Sequence, residues 1–495
     1  MQKSAVAVSF DDALASINLS TPLTRLTVTG ITHDHRKVRP GCVFAALPGM
    51  KRHGADFASE AVDAGAVAIL TDIVGVRALQ NLSVPVVVSA HPRLDMAALV
   101  QYIFGNAQAQ LVSVGITGTN GKTTTSYLVE SVLSATVGPT LLIGTTGVRF
   151  GDWAAESART TPEASDLHGL LNDARHAGAR ALVMEVSSHA LVLGRVDGVV
   201  YDVAVFTGLS PDHLDFHGTM EDYFQAKAQL FTPERAERAV ICVDTEWGQR
   251  LAHETRVPTI TFGSTNTAHW YPTDIVTEPD GHMNFLAHGP HGTYGVRMGL
   301  PGDFNVLNAL AALAVADSLS LAIDVSAAQF AEVLVPGRLQ RISAGQDFLV
   351  LVDYAHTPDA VERALAVARS CATGRVIAVL GCGGDRDTQK RAPMGAAAAL
   401  AAEIVVVTDD NPRSEDPALI RQAVLDGARG AGSPAQIVEI GARDAAISFA
   451  IQQAQPGDCV IILGKGHETG QEVAGVVTHF DDREVARAAL EGRLR

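Results

Sequence analysis

A chain of 495 residues suggests about three domains at roughly 150 residues each, which excludes a single small module. Hydrophobic residues make up 47% and charged ones 19%, enough apolar surface for several cores and the wrong balance for intrinsic disorder. Lys plus Arg number 38 against 54 Asp plus Glu, a formal net charge of −16, which argues against coating nucleic acid or an anionic membrane. Any anionic ligand must therefore meet local positive charge.

Up to about residue 90, short β-like runs at 67–70 and 84–88 accompany a Gly/Pro-punctuated loop at 40–54, and predict a small first α/β domain. From 111 the pattern becomes apolar run, loop, helix: runs at 111–117, 181–186, 199–206 and 239–243, with a helix from Lys122. Continuous apolar runs of this length separated by helices are the mark of buried parallel strands, so a doubly wound sheet is expected. Residues 275–300 turn alternating and Gly-rich, as antiparallel hairpins do, before a helix pattern at 305–318. After Pro336-Gly337 the alternation restarts, with strands at 348–352, 376–380, 404–407, 437–440 and 460–463 and helices from Asp359, Arg391, Pro417 and Arg443. In open α/β sheets ligands gather at the carboxyl ends of strands, where these loops are rich in Gly, Asp, Asn and His.

Five cysteines, Cys42, Cys242, Cys371, Cys382 and Cys459, lie far apart without a CxxC pair, so reduced, cytoplasmic thiols are expected rather than a zinc ribbon or disulfide framework. The first residues lack the pattern of a signal peptide, and nowhere do about 18 apolar residues follow one another as a spanning helix needs. Neither export nor membrane insertion is expected.

The strongest local motif is Gly115-Ile116-Thr117-Gly118-Thr119-Asn120-Gly121-Lys122-Thr123-Thr124, between a β-like run and a helix. Its glycines let backbone N–H groups turn toward phosphate oxygens, Lys122 can reach terminal phosphates, and the Thr123 hydroxyl is placed for Mg²⁺. Ile116 stands where the strict phosphate-loop spacing wants Gly, so Gly115 or Gly118 must do the turning. Mg²⁺ needs hard oxygen ligands, and Glu185, at the end of a neighbouring strand, qualifies, since an unpaired carboxylate is seldom buried for structure alone. The histidines of Ser210-Pro211-Asp212-His213-Leu214-Asp215-Phe216-His217 would, taken alone, be ordinary loop residues, and Lys227 a solvated helix lysine behind a Thr219/Asp222 capping box.

The ordered motifs resemble the ATP-dependent Mur ligases, which build the peptide of bacterial peptidoglycan. They comprise Gly118 to Thr124, Thr160-Thr161-Pro162, Met184 to His189, Ser210 to Gly218, Phe304 onward, Val352 to Ala360, Gly381 onward, Asp409 to Arg413, and Gly464 to Glu468. The resemblance implies three α/β domains: a small uridine-nucleotide domain (1–92), a central P-loop ATPase-like sheet (93–336), and a C-terminal Rossmann-like domain bringing the amino acid (337–495). It implies that ATP phosphorylates a D-glutamyl side-chain carboxylate on a UDP-N-acetylmuramoyl-dipeptide, and that an amine captures the acyl phosphate. ATP would be held by Gly118, Thr119, Asn120, Gly121, Lys122, Thr123 and Thr124, with Asn305, Arg338 and Asp353; for Asn305, helix capping is the alternative. Thr123, Glu185 and His213 match metal positions, and Lys122, Glu185, His213 and Lys227 catalytic ones, Lys227 as a lysine carbamylated by CO₂. Thr160, Thr161, Ser187 and Arg195 would hold the muramoyl-dipeptide. His35, in Asp34-His35-Arg36, stands where the family usually has Ser, and Leu193 where a Gln is common.

Arg386, Asp410, Asn411, Pro412, Arg413, Gly464 and Glu468 match the amino-acid pocket, and Arg413 the arginine of the branch that adds meso-diaminopimelate. A site built around a polar group rejects an analogue lacking it by roughly 10⁴-fold, which favours diaminopimelate over lysine. The alternative for Arg413 is a surface pair with Glu415 or Asp416. Competing readings are the lysine-adding homologue, another amide ligase of the superfamily such as a folylpolyglutamate synthase, and a nucleotide-driven switch. A monomer that acts on small molecules is expected.

Overall fold

The computed structural model describes residues 7–20, 25–49, 52–79, 82–157, 159–278 and 280–494. The chain divides into two compact units, one comprising Met1–Tyr271 with Leu310–Ser326, the other Pro272–Ala309 with Ala327–Arg495.

The first unit holds a four-stranded parallel sheet, Gly30–Thr32, Cys42–Ala45, Ala68–Thr71 and Val86–Val88, neighbours in chain order. Its larger sheet has eight strands in the order Trp153–Ala155, Gly147–Phe150, Thr140–Gly144, Ala181–Glu185, Val112–Thr117, Tyr201–Phe206, Ala236–Cys242 and Thr259–Phe262. The last six are parallel, and the first two close one edge as antiparallel strands. Strands buried on both faces need apolar residues at every position. Ala181–Glu185 is accordingly Ala-Leu-Val-Met-Glu with all five residues buried, so its one carboxylate stands out. The register sets Ile116 opposite Glu185 and Thr117 opposite Phe206, bringing the carboxyl ends of three adjacent strands level.

In the second unit a six-stranded sheet runs Gln340–Arg341, Leu349–Asp353, Cys459–Leu463, Val376–Leu380, Ile404–Val407, Gln436–Glu439, with only the first strand antiparallel. Two apolar layers sandwich it. Leu351, Ala378, Val405 and Ile461 pack against helices Pro358–Cys371, Arg391–Ala401 and Pro417–Gly430, while Val350, Ile377, Val406 and Ile462 pack with Ile447 and Leu490. Met283–Gly289 and Gly292–Met298 form the antiparallel hairpin read from the Gly-rich alternation, and a second hairpin pairs Gly470–Val473 with Val476–His479.

The doubly wound α/β class holds, and so do the parallel strands of both large sheets. Sequence reading missed Thr140–Gly144, the Gly147–Ala155 edge and Thr259–Phe262; the last two lie at the edges of the sheet, only partly buried, and lack the continuous apolar run by which the central strands were read. The five cysteines are all free, and among the described residues no helix is long and apolar enough to cross a membrane.

Candidate active site

The chain leaves strand Val112–Thr117, turns through Gly118 to Gly121, and enters the helix Lys122–Thr136. Gly121 has φ +85°, a conformation that favours glycine, and a Cβ on Gly118 would sit 1.9 Å from Thr207 Oγ1. Both glycines are therefore required by the turn, which answers the departure at Ile116. The loop is pinned from the next strand: the Thr207 hydroxyl donates to Asn120 O at 2.5 Å, Thr119 N–H to Gly208 O at 3.0 Å, and the Thr119 hydroxyl to Ser210 O at 3.1 Å. Lys122 Nζ donates to Gly118 O at 2.8 Å and Thr119 O at 2.9 Å. A helix N-terminus and a lysine thus meet at one loop, the local positive field that a chain of net charge −16 needs for a polyphosphate.

Glu185 is fully buried, but it is not unpaired as its sequence context suggested. Its carboxylate accepts from the Thr123 hydroxyl at 3.1 Å, Thr145 N–H at 2.9 Å and the Thr145 hydroxyl at 3.0 Å. Gly144 makes room, since a Cβ there would lie 2.2 Å from Glu185 Oε1. The network continues to the residues expected at the sugar-peptide substrate: Thr145 Oγ1 lies 3.1 Å from Thr160 Oγ1, and the Thr161 hydroxyl donates to Glu185 O at 2.9 Å and accepts from Ser187 N–H at 3.0 Å. Thr123, Glu185, Thr160, Thr161 and Ser187 therefore form one constellation. Thr145, which sequence reasoning missed, is its hub.

Lys227 overturns the reading of a solvated helix lysine, being only 1% exposed. Its helix, Met220–Ala228, is capped by Thr219, whose hydroxyl accepts from Asp222 N–H at 3.1 Å, and the Thr219 hydroxyl also contacts the Asp222 carboxylate at 2.6 Å. Lys227 Nζ donates to Gly118 O at 2.8 Å and lies 4.6 Å from the centre of the Tyr223 ring, whose hydroxyl is 3.2 Å from Thr119 Oγ1. Burial, and then the neighbouring Lys122 charge, push the Lys227 amine well below the ordinary lysine value. His213 is placed differently. Its side chain is half exposed, its Nε2 is 3.5 Å from Asp212, and its ring packs edge-on at 5.0 Å from His189 and 6.3 Å from Tyr223. Its backbone is left-handed, with φ +52°.

Arg195 reaches Glu163 at 3.0 Å, and so do Arg93 at 2.5 Å and Arg159 at 3.2 Å, three guanidinium groups on one buried carboxylate. Sequence reasoning found only Arg195; the Thr160-Thr161-Pro162-Glu163 run held the signal for the acid. His35 stacks on Phe57 at 4.4 Å with planes 3° apart, and its Nε2 is 3.3 Å from Glu60. Leu193 ends the short helix Ser188–Val192.

In the second unit, strand ends carry the candidates. The Asp353 carboxylate accepts from Leu339 N–H at 2.7 Å and Ala355 N–H at 2.8 Å; burial raises its proton affinity against the pull of Arg338, whose guanidinium lies 5.0 Å from the Tyr354 ring centre. Asn305 sits within the first turn of helix Asp303–Ser318, buried, donating to Pro301 O at 2.7 Å and accepting from the Asn308 side chain at 2.9 Å; neither of these bonds satisfies a backbone N–H, as a capping side chain would. Gly464 N–H donates to Asp353 O at 3.1 Å, and a Cβ on Gly464 would meet Asp410 Oδ2 at 2.6 Å.

Asp410, Asn411 and Pro412 are buried, and Arg413 takes a left-handed φ of +54°. Its pairing differs from the surface alternative, because Glu415 is held by Arg391 at 2.8 Å. Arg413 instead donates from its guanidinium to Gly384 O at 2.7 Å and lies 3.4 Å from Glu472 Oε2, while its backbone bridges to the Gly470–Val473 strand. A Cβ on Gly383 would lie 2.9 Å from Arg413 and 3.9 Å from the exposed Arg386. Asn411 donates to Glu468 Oε2 at 3.0 Å. The cluster joins two arginines to Asp410 and Glu468, charges of both signs as a zwitterionic ligand requires.

Comparison with known proteins agrees. Three family profiles match in succession: the Mur ligase family catalytic domain at 27–104, the Mur ligase middle domain at 116–316, and the Mur ligase glutamate ligase domain at 337–466. A UDP-N-acetylmuramoyl-L-alanyl-D-glutamate--2,6-diaminopimelate ligase of Streptomyces coelicolor is 49% identical, covering 96% of this chain and 95% of its own. One of the same name from Geobacillus thermodenitrificans is 44% identical, covering 94% and 95%. A solved structure of a ligase of that name covers 99% of this chain and 100% of its own at 33% identity, with a TM-score of 0.72. The MurF ligase of Thermotoga maritima in complex with ADP, at 20% identity and a TM-score of 0.64 over 94% of this chain and 98% of its own, shares the fold. With the glycine turn, the buried Thr123–Glu185 pair and the Arg413 loop all in place, the chain belongs to the Mur ligase family.

Proposed function

We propose that this chain is an ATP-dependent amide ligase that joins meso-diaminopimelate to the D-glutamyl side-chain carboxylate of UDP-N-acetylmuramoyl-L-Ala-D-Glu, a step in making peptidoglycan precursors. The observation that carries the reading is the near-full-length likeness to relatives bearing that name. We assign 1–92 to the uridine nucleotide, 93–336 to ATP and 337–495 to the amino acid; the second and third family matches fall within their stretches, while the first runs on to residue 104. We place the reaction in the cytoplasm, where nucleotide-linked precursors are made, and take the acting species to be a monomer.

In this reading a substrate carboxylate oxygen attacks the terminal phosphorus of ATP and the bond to ADP breaks. The amine nitrogen of diaminopimelate then adds to the acyl phosphate carbon, loses a proton, and phosphate leaves with the C–O electron pair. Anion attacks anion, so positioning and charge neutralisation carry the catalysis. Lys122 supplies positive charge at the phosphate loop, Thr160, Thr161, Ser187 and Arg195 orient the acceptor, and Asn305, Arg338 and Asp353 contact the nucleotide. Arg413 and Arg386 take the far carboxylate of the amino acid, and Asp410 and Glu468 its ammonium.

The hard-oxygen pair of the Thr123 hydroxyl and the Glu185 carboxylate, 3.1 Å apart beside the phosphate loop, suits Mg²⁺. Those two residues would hold the ion, which would offset charge between carboxylate and triphosphate. His213, half exposed beside Asp212 and His189, is proposed as a further metal position on the family resemblance alone. Lys227 fits carbamylation: a buried amine of lowered proton affinity keeps the lone pair that adds to the carbon of CO₂, with loss of one proton, giving an anionic group beside the loop.

The test is a competition between diaminopimelate and lysine with purified protein, ATP, Mg²⁺ and UDP-muramoyl-dipeptide. Phosphate release that depends on diaminopimelate supports the reading. Equal use of lysine would move the chain to the lysine-adding branch, and ATP turnover indifferent to any amino acid would leave only a nucleotide-driven switch.

A further inference from the structure

Lys465 belongs to the Gly464 to Glu468 motif, yet nothing in the reading above uses it. Its side chain is completely buried, which lysine almost never is unless its polar end is met by partners. Here three acceptors match the three N–H bonds of its Nζ: Asn411 Oδ1 at 3.2 Å, Glu468 Oε2 at 3.4 Å and Gly470 O at 2.5 Å. Each comes from a different piece of the pocket. Asn411 follows strand Ile404–Val407, Glu468 lies in the loop after Cys459–Leu463, and Gly470 opens the hairpin that carries Glu472.

These bonds also fix orientation. Asn411 Oδ1 accepts from both Lys465 Nζ and Glu472 N–H, the latter at 3.0 Å, so its amide must turn Nδ2 the other way, where it donates to Glu468 Oε2 at 3.0 Å. Lys465 and Asn411 therefore grip the same oxygen of Glu468. The rest of the hairpin is tied to the same loop, Gln471 donating to Asp410 O at 2.7 Å and Arg413 N–H to Glu472 O at 3.0 Å.

We propose that Lys465 is a positioning residue for the amino-acid substrate. By holding Glu468 through Oε2 and fixing the flip of Asn411, it presents the other Glu468 oxygen to the substrate ammonium and keeps the hairpin against the Arg413 loop. This rests on the reading of Asn411 and Glu468 as amino-acid contacts. Without Lys465 the Glu468 carboxylate loses its ion-pair partner and the Asn411 amide loses one of the two donors that set its direction, keeping only Glu472 N–H. The defect falls on recognition of the amino acid, because none of the three contacts involves Asn305, Arg338, Asp353 or the phosphate loop.

The test measures KM for diaminopimelate and for ATP, with melting temperature, in Lys465→Met, Lys465→Gln, Glu468→Gln and the Lys465→Met/Glu468→Gln double variant of the full chain. Lys465→Met should raise the diaminopimelate KM roughly ten-fold, the scale on which groups that orient a direct contact act, with ATP KM within about two-fold. Lys465→Gln, which keeps a donor for Asn411, should fall between it and the wild type and serves if Lys465→Met does not fold. The double variant should be little worse than the worse single one, since both act through one carboxylate. If Glu468→Gln raises the diaminopimelate KM while the Lys465 variants do not, the proposal is overturned and the pocket reading stands. If Glu468→Gln leaves that KM unchanged, the pocket reading fails and the proposal with it. Additive effects, or ATP and diaminopimelate KM rising together by the same factor, would reduce Lys465 to a structural residue.

Discussion

Two lysines, one in each unit, are buried to the same degree in opposite company. Lys465 is met by a carboxylate, a side-chain amide and a carbonyl, whereas Lys227 has the carbonyl of Gly118 and the face of Tyr223, and no carboxylate pairs with it among the described residues. Burial removes water from both, so the partners decide what each can do. An amine with no paired carboxylate, where burial and the Lys122 charge outweigh the pull of Asp212, gives up its proton readily, the state that the proposed addition to CO₂ requires. A lysine gripped by Glu468 and Asn411 holds geometry instead.

The largest expected effect separates the two at the level of turnover. Lys227→Ala should cost the ligation rate at least ~10²-fold, the scale of removing one charged group aimed at a reacting centre, while UDP-muramoyl-dipeptide still binds in a calorimetric titration. Wild-type activity should also fall in CO₂-depleted buffer and return with bicarbonate, which Lys465→Met should not alter in kind. Full turnover by Lys227→Ala would erase the contrast and with it the carbamate.

A smaller effect is expected at Arg413, where the loss should appear in KM. Arg413→Ala removes the guanidinium that donates to Gly384 O and faces Glu472, and should raise the diaminopimelate KM by roughly 30-fold with the ATP KM little changed. Arg413→Lys should recover only part of it, since an ammonium cannot reproduce the planar fork. An unchanged KM in both variants would place the amino-acid carboxylate elsewhere.

The difference between the two regions also explains what could be read from sequence. The phosphate loop was legible because its parts are contiguous: a strand, two obligatory glycines, Lys122 and Thr123. Glu185 was legible because a carboxylate among buried strand residues is conspicuous. The burial of Lys227 was not legible, for its acceptor lies 109 residues away and the helix pattern around it looks amphipathic in the ordinary way. Thr145 gave no signal either, being a lone threonine after Thr140–Gly144, a strand the sequence reading missed. In the pocket, Asp410 to Arg413 announced itself as a motif, but its partners Gln471 and Glu472 come from a hairpin whose residues are mostly exposed and polar or β-branched. Motifs report where chemistry happens; the groups that orient it are placed by tertiary packing.

The smallest expected effect is thermodynamic and tests the lysine contrast without turnover. Burial lowers the folded-state proton affinity of Lys227 below the ordinary value of 10.5. Between the lowered value and 10.5, the unfolded chain binds a proton that the folded chain does not, so this residue makes stability rise with pH across that window. Keeping the amine buried therefore costs most toward neutral pH and least as pH approaches 10.5. Lys227→Met removes that dependence and also the bond to Gly118 O, whose loss is the same at every pH in this range. The melting temperature of the variant minus that of the wild type, measured without ligands in CO₂-free buffer, should accordingly fall as pH rises from 7 toward 10. Lys465→Met, which breaks an ion pair, should lower the melting temperature at pH 7. A flat Lys227→Met difference would mean that this amine keeps its proton in the folded chain, and the reason for treating the two lysines as opposites would be gone.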